Sequence, residues 1–330
     1  MKIVVDAMGG DYAPEAIVAG GLEAVKELNA DLTFVGIEEK VRAELAKHSY
    51  DANKVEVVHA SEVVEMHESP AASVRRKRDS SISVGVQLLR DNPAKYSAFI
   101  SAGNTGAVVS ASTLYLRLIE GVDRPAIGLY LPTLTGMGFF IDVGANTDPK
   151  PEHLLHNALM GQTYVRNTLG KEDLKVGLLN IGSEESKGTG FYKETHKLLA
   201  DKLGNFVGNV EANEAYFGKC DVIVCDGYVG NILIKVSQGL MEAAGKLIKR
   251  EVRKDPLAGA GALLMKTRLK NIKQLADYSS YGGAPLLGVN GIVMISHGRS
   301  SPKAVKNAIR VTQKEIEHDI ITRLKKGIKV

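Results

Sequence analysis

The chain contains no Trp and only 2 Cys, and its aromatic content is 5% of 330 residues. So few rings leave no stacking surface for single-stranded nucleic acid, and nucleic acid is not an expected partner. Cys220 and Cys225 both sit in the apolar stretch CDVIVCD. They make no disulfide framework and read as small core residues rather than nucleophiles, which suits a reducing cytoplasm. No run of 18 consecutive apolar residues occurs, which excludes a transmembrane helix, and no basic-then-apolar segment precedes the first apolar run, Lys2 to Val5, so export is not expected. Fixed-period repeats and low-complexity tracts are absent, which excludes solenoids and disordered tails.

Several catalytic motifs are missing as well. There is no HExxH and no zinc-spaced Cys/His cluster, so no metal is expected. There is no G-x-S-x-G elbow. The segment after the first apolar run reads MGGDYAP rather than G-x-G-x-x-G, which disfavours NAD. In GSEESKGTG, Lys187 is followed by Gly188, not by Ser or Thr, so the Walker A pattern fails.

Glycine, by contrast, is abundant at 34 residues and concentrated in loops. Six segments run from an apolar stretch through Gly with Asp, Asn or Ser into a helical pattern: DAMGGD (6–11), SAGNTGA (101–107), DVGANTD (142–148), NIGSEESKG (180–188), DGYVGN (226–231) and SHGRSS (296–301). Each presents backbone N–H groups at the positive end of a helix dipole, a natural anion site. Nine short apolar runs read as buried parallel strands: KIVVDA, DLTFVG, KVEVVH, YSAFIS, AIGLYL, GFFIDV, KVGLLN, DVIVCD and GIVMIS. Helical patterns cover 14–28, 104–119, 151–169, 190–203, 231–250 and 302–324. This alternation predicts a doubly wound α/β fold whose loops share one crevice at the strands' carboxyl ends. The spacing around Thr133 to Gly138 predicts a hairpin marking a second lobe.

The chemistry that remains is phosphate as a reactant. The expected pocket gathers Asp6, Gly9, Gly10, Asp11, Ser101, Gly103, Asn104, Thr105, Gly106, Asp142, Gly144, Asn146, Asn180, Gly182, Ser183, Gly188, Gly227 and Gly230 as substrate and phosphate contacts. Within it, Lys187 with Ser183 is the expected phosphate clamp, Asn231 and Lys235 the oxyanion or phosphate donors, Asp226 an orienting carboxylate, and His297 a proton donor to the leaving group. For any single loop, helix capping explains Asp and Asn about as well as a ligand role does. Phosphate dianion is a competent nucleophile and a thiolate, with a pKa of about 8.5, a fair leaving group, so acyl transfer from a thioester needs positioning and oxyanion stabilisation but no covalent enzyme intermediate.

DAMGGDYAP, ESPAASVRRKRDSS, SAGNTGA, DVGAN, NIGSEESKG, DGYVGN with Lys235, and DYSSYGGAPLLG resemble, in order and nearly end to end, the phosphate acyltransferases of bacterial phospholipid synthesis, the PlsX family. The resemblance implies transfer of a long-chain fatty acyl group from acyl carrier protein to inorganic phosphate, giving acyl phosphate for glycerol 3-phosphate acylation, without a cofactor. It also implies a homodimer, a cytoplasmic protein held peripherally at the inner face of the cell membrane, and a three-layer α/β/α fold of the isocitrate/isopropylmalate dehydrogenase type with a mostly parallel sheet and a cleft between lobes. The lobes are expected at 1–120 with 290–330, and at 121–289 of one 1–330 family domain. Arg75, Arg76, Lys77 and Arg78 would then dock the acidic carrier. The stripe Leu264, Met265, Leu269, Ile272, flanked by Lys266, Lys270 and Lys273, would lie on the membrane. The competing readings are a phosphate acetyltransferase-like enzyme using acyl coenzyme A, an NAD-dependent dehydrogenase of related fold, and a non-catalytic membrane adaptor for the carrier.

Overall fold

The computed structural model describes residues 2–268 and 282–328. Leu269, Ile272, Lys270 and Lys273 of the expected membrane stripe lie outside them. In chain order the elements are β1 (Lys2–Asp6), α1 (Glu15–Leu28), β2 (Leu32–Gly36), α2 (Glu38–Leu45), β3 (Val55–His59), α3 (Pro70–Arg76), α4 (Ser81–Asp91), β4 (Tyr96–Ser101), α5 (Thr105–Tyr115), β5 (Ala126–Thr133), β6 (Gly136–Ile141), α6 (Pro151–Leu169), β7 (Val176–Asn180), α7 (Gly190–Lys202), β8 (Phe206–Glu211), β9 (Val222–Val224), α8 (Gly227–Val252), α9 (Pro256–Leu264), β10 (Ala284–Leu287), β11 (Ile292–Ile295), α10 (Pro302–Glu317) and α11 (Ile320–Gly327).

One sheet of eleven strands runs in the order β3-β2-β1-β4-β11-β10-β5-β6-β9-β7-β8. Its central strands read as continuous apolar runs because helices cover both faces. In β1, Ile3 and Val5 pack with α1 and α10, while Val4 packs with α4 and α5. All six glycine loops join a strand to the helix that follows it. The predicted hairpin forms, with Gly128 opposite Ile141 and Thr133 opposite Gly136.

The strands do not all point one way, which changes the shape of the crevice. β3, β2, β1, β4 and β11 are mutually parallel, as are β6, β9, β7 and β8. Between them β10 is antiparallel to both β11 and β5, and β5 is antiparallel to β6, so the two parallel sets run in opposite directions. The register staggers them: Ile295 at the end of β11 pairs with Ala284, Leu286 two residues on pairs with Ile127, and Gly128 pairs with Ile141 at the end of β6. The carboxyl ends of the two sets therefore meet near the centre of the sheet instead of lining one edge.

Three further departures from the sequence reading have local causes. β8 carries Gly208 at φ 89° and pairs only with β7, and β10 is four residues long with a proline, so neither shows a strand period. α4 hides behind Gly85, where a Cβ would stand 2.3 Å from the Phe99 ring. The expected helix 302–324 breaks at Asp319, which takes the left-handed conformation at φ 47°.

Candidate active site

The meeting of carboxyl ends creates a cavity of about 290 Å³. It is lined by Thr105 and Gly106 from the SAGNTGA loop, Val143 and Gly144 from DVGAN, and Asn231, Ile234, Lys235 and Gln238 from the first turns of α8. Ser296, His297 and Ser300 from SHGRSS also line it, with Gly283 and Ala284 at the start of β10 and the apolar Ile127, Leu129, Ile295 and Ala304. Four of the six loops thus converge. DAMGGD sits next to this group, since the Asp11 N–H donates to the Gly298 carbonyl at 2.7 Å, but it does not line the cavity.

The remaining loop, NIGSEESKG, does not join them. Asn180 and Gly188 line a second cavity of about 820 Å³ with Leu179, Tyr192, Val229, Ile232, Leu233 and Val236. α8 separates the two: Asn231, Ile234, Lys235 and Gln238 face the first cavity, and Val229, Ile232, Leu233 and Val236, on the other side of the helix, face the second. The expected single crevice is therefore two. Lys187 lines neither; its side chain is 47% exposed and its Nζ lies 3.8 Å from Glu184 of its own loop. Gly182 packs against the Lys187 stem and Ser183 stays on this exposed turn, so the structure gathers no clamp of Lys187 and Ser183 with Lys235.

Many of the expected polar ligands spend their side chains on the scaffold. Asn104 caps α5 by accepting the Ala107 N–H at 3.1 Å and donates to the carbonyls of Glu65, Met66 and Glu68. Asp142 accepts from the backbone N–H groups of Ile127, Gly144, Ala145 and Asn146, while Asn146 donates to the Pro125 carbonyl. Burial pushes the Asp142 carboxyl up, and those backbone donors oppose the shift. Asp226 caps α8 through the Tyr228 and Val229 N–H groups and accepts the Tyr192 hydroxyl, tying α7 to α8. Asn180 accepts the Ile181 N–H and donates to the Lys187 carbonyl. Asp6 accepts the Ser101 hydroxyl at 2.7 Å and the Met8 N–H, and burial raises its carboxyl pKa. The Gly103 N–H donates to Ser101 Oγ. Gly9 and Gly10 are needed for space: a Cβ on Gly9 would stand 2.4 Å from Asp6, and Gly10 has φ 102°. Gly227 and Gly230 serve similarly, letting the start of α8 lie against the Asp142–Asn146 backbone.

What faces the cavity with chemistry to offer is a smaller set: Thr105 and the α5 start, Asn231, Lys235, His297 and Ser296. The His297 Nδ1 accepts the Arg299 N–H at 3.1 Å, which leaves the proton of the neutral ring on Nε2. Burial, then the charges of Arg299 and Lys235, hold its pKa below the ordinary histidine value. That shift favours the neutral imidazole form. Ser296 was missed by the sequence reading although it opens SHGRSS. It is 6% exposed, and its buried Oγ has no hydrogen-bond partner among the described residues. A buried hydroxyl unpaired beside a cavity is available to a ligand or an ordered water.

Of the expected docking residues, Arg76 and Lys77 are engaged by Glu68, which Lys77, the Glu65 N–H and Ser73 hold well below the usual carboxylate range. Arg75 and Arg78 stay exposed without a carboxylate partner among the described residues. At the end of α9, Leu264 is 89% exposed, and Met265, just past it, 54%.

The family described as "Fatty acid synthesis protein" matches residues 1–323. A phosphate acyltransferase of Dictyoglomus turgidum is 46% identical over 99% of this chain and 98% of its own length. One from Desulfitobacterium hafniense is 48% identical, again over 99% of this chain and 98% of its own length. The chain belongs to the phosphate acyltransferase family. It is an acyltransferase that moves an acyl group to phosphate. Solved structures agree on the fold: the phosphotransacetylase EutD of Staphylococcus aureus superposes with TM-score 0.60 at 17% identity, covering 96% of this chain and 94% of its own. A phosphotransacetylase of Streptococcus pyogenes gives 0.59 at 17% identity, over 100% and 94%. The three-layer α/β architecture expected from the sequence is the one found. In this phosphate acyltransferase family member, Ser296, His297, Lys235, Asn231 and the α5 start converge on one cavity.

Proposed function

We propose that the enzyme takes a long-chain acyl group from acyl carrier protein and passes it to inorganic phosphate by direct attack of phosphate on the thioester carbonyl. The observation that carries this reading is the cavity at the seam of the two strand sets, where a helix start, a lysine, a neutral histidine and an unpaired serine hydroxyl face one another. Lys235 and the α5 N–H groups suit the phosphate dianion; Ser296 Oγ and Asn231 Nδ2 suit the carbonyl oxygen as it becomes an oxyanion. The phosphate oxygen forms the new bond to carbon, the tetrahedral intermediate collapses, and the C–S bond breaks to release the carrier thiolate, which needs no obligatory acid. An acyl-cysteine intermediate is disfavoured, because burial pushes the Cys220 thiol up to about 12 and the Cys225 thiol well above its usual value.

The carrier is favoured over coenzyme A by the exposed Arg75 and Arg78, which suit an acidic protein. α8 buries nothing beyond Ile234, and Ile232, Val236, Leu240 and Leu247 form an exposed apolar stripe along it. Such a stripe supports pairing with a second copy as a homodimer. Leu257, Leu263 and Leu264 on α9 support a peripheral hold on the inner face of the cytoplasmic membrane. The strand reversal at β10 supports a division into lobes at 1–120 with 290–330, and 121–289.

Incubation of the protein with a long-chain acyl carrier protein and phosphate tests the reading, by following free carrier thiol and acyl phosphate. Thiol release that ignores phosphate sinks it, and faster turnover of the same acyl group on coenzyme A overturns the choice of donor. Liposome flotation of an L257E/L264E variant tests the membrane contact: unchanged flotation removes it.

A further inference from the structure

The cavity at the seam and two further clefts lie in series along α5. Thr105 and Gly106 at the start of that helix line the cavity. Val109, Ser110, Thr113 and Leu114, one to two turns later, line a cleft of about 480 Å³ that also touches Ala145 and Asn146, next in sequence to the cavity-lining Val143 and Gly144. Leu114 and Tyr115 then line a third cleft of about 420 Å³. Gly106, Val109, Thr113 and Arg117 follow the i, i+3, i+7, i+11 spacing of one helix face, carried past the helix end. The two outer clefts share Arg75, Leu114 and Arg117, so they are continuous.

The far cleft is built for an anion. Arg75, Arg78, Arg90 and Arg117 line it, from two segments far apart in sequence and the end of α4. Arg90 is already matched, its guanidinium bonded to both carboxylate oxygens of Asp91 and set over the Tyr115 ring. Arg75, Arg78 and Arg117 have no carboxylate partner among the described residues, and Asp123 is the acid lining the adjoining cleft. Three converging guanidiniums repel one another unless an anion neutralises them, and their planar forks match phosphate oxygens.

The separation of the two ends decides which anion. From Thr105 to Tyr115 the helix advances roughly 15 Å at about 1.5 Å per residue. A thioester carried on a pantetheine arm has its phosphorus about a dozen bonds from its sulfur, which spans roughly 15 Å at the ~1.2 Å per bond of an extended chain. Inorganic phosphate, the other substrate, needs no such second site. We propose that Arg75, Arg78 and Arg117 bind the phosphodiester of the carrier protein's pantetheine arm, with the arm lying along α5 and its thioester delivered to Ser296, Lys235 and His297. The acidic surface of the carrier then covers the same arginines, whereas Arg76 and Lys77, held by Glu68, take no part. The inference rests on the reading of acyl carrier protein as donor.

The test compares one acyl group on three thiols: carrier protein, coenzyme A, and pantetheine lacking any phosphate, with wild-type enzyme and the R78Q/R117Q variant. The expected result is a KM for acyl carrier protein raised about 10- to 100-fold in the variant, the size of lost charge-assisted contacts, with kcat near wild type. The KM for acyl pantetheine stays within about twofold, and R78K/R117K recovers part of the loss. Equal damage on acyl pantetheine, or an unchanged KM for the carrier, overturns the subsite. If the wild type uses acyl coenzyme A but not the carrier, the donor reading fails by itself. The coenzyme A and pantetheine arms then decide the subsite: a variant effect confined to coenzyme A supports it, and an equal effect refutes it.

Discussion

Gly230→Ala is expected to damage both stability and turnover, although in most helices the change would help. Alanine in a helix interior is worth about 0.5–1 kcal/mol over glycine. At Gly230 the added Cβ would stand 2.1 Å from the Asp142 carbonyl oxygen and 2.9 Å from Cys225 Sγ. The first contact is with backbone, which no rotamer change relieves, so the start of α8 must retreat by about 1 Å to regain van der Waals distance. Overpacking of this kind costs about 1–3 kcal/mol, which outweighs the propensity gain and leaves a net loss of about 1–2 kcal/mol. The retreat carries Asn231 and Lys235 with it, and a 1 Å misplacement in an active site costs on the order of 10²-fold in rate. Gly245→Ala on the same helix is the internal control. Nothing lies within 4 Å of its Cβ position, so it should stabilise by the propensity term alone. Urea denaturation of both variants, with phosphate-dependent thiol release measured below the midpoint, makes the comparison. A Gly230→Ala protein as stable and as fast as Gly245→Ala would refute the close packing of α8 on the Asp142 loop.

Ser296→Ala should separate folding from function. Its Oγ bonds nothing among the described residues, so urea denaturation should show no loss, while kcat/KM falls roughly tenfold or more if the hydroxyl meets substrate; a destabilised variant of normal activity contradicts this. Lys235→Ala should lower turnover or raise the KM for phosphate far more than Lys187→Ala, since Lys235 lines the cavity and Lys187 does not; steady-state kinetics with the two effects reversed would return the NIGSEESKG loop to the reaction. Glu315 is fully buried between helices, bonded to Tyr164, and desolvation raises its pKa to about 8 from 4.5. The folded protein keeps this proton where the unfolded chain loses it, so stability should fall as pH rises from about 4.5 to about 8. Glu315→Gln should therefore gain on the order of 1–3 kcal/mol over wild type at pH 8 and lose that advantage near pH 5. Parallel melts at the two pH values check it, and a pH-independent difference refutes the shift.

The six loops were legible because each is a local event. An apolar run, a glycine where the backbone turns sharply, and a capping residue at the helix start all lie within ten residues, and every one of the six junctions formed. Their grouping was not legible, because it depends on strand order. β11 pairs with β4 across nearly two hundred residues of intervening chain, and the four-residue β10, too short to show a period, reverses the sheet. That reversal brings SAGNTGA, DVGAN, DGYVGN and SHGRSS to one cavity and leaves NIGSEESKG behind α8. The roles of the polar residues were obscured by a related ambiguity. Asn104, Asp142, Asn146 and Asp226 have the composition of ligands, but each spends its side chain on the scaffold: Asn104 and Asp142 on four backbone groups apiece, Asp226 on two N–H groups and the Tyr192 hydroxyl, Asn146 on the Pro125 carbonyl and Asp142. Ser296 and the Arg75–Arg117 cleft are the converse case. A lone serine at a strand end, and Arg117 some forty residues from the basic run that holds Arg75 and Arg78, carry no sequence signal, since what marks them is the absence of a partner, and partners are assigned only when the chain has folded. In this fold capping and loop packing consume most of the loop carboxylates and amides, and on the proposed reading it is Ser296 with Arg75, Arg78 and Arg117 of the cleft, unengaged among the described residues, that meet the substrates.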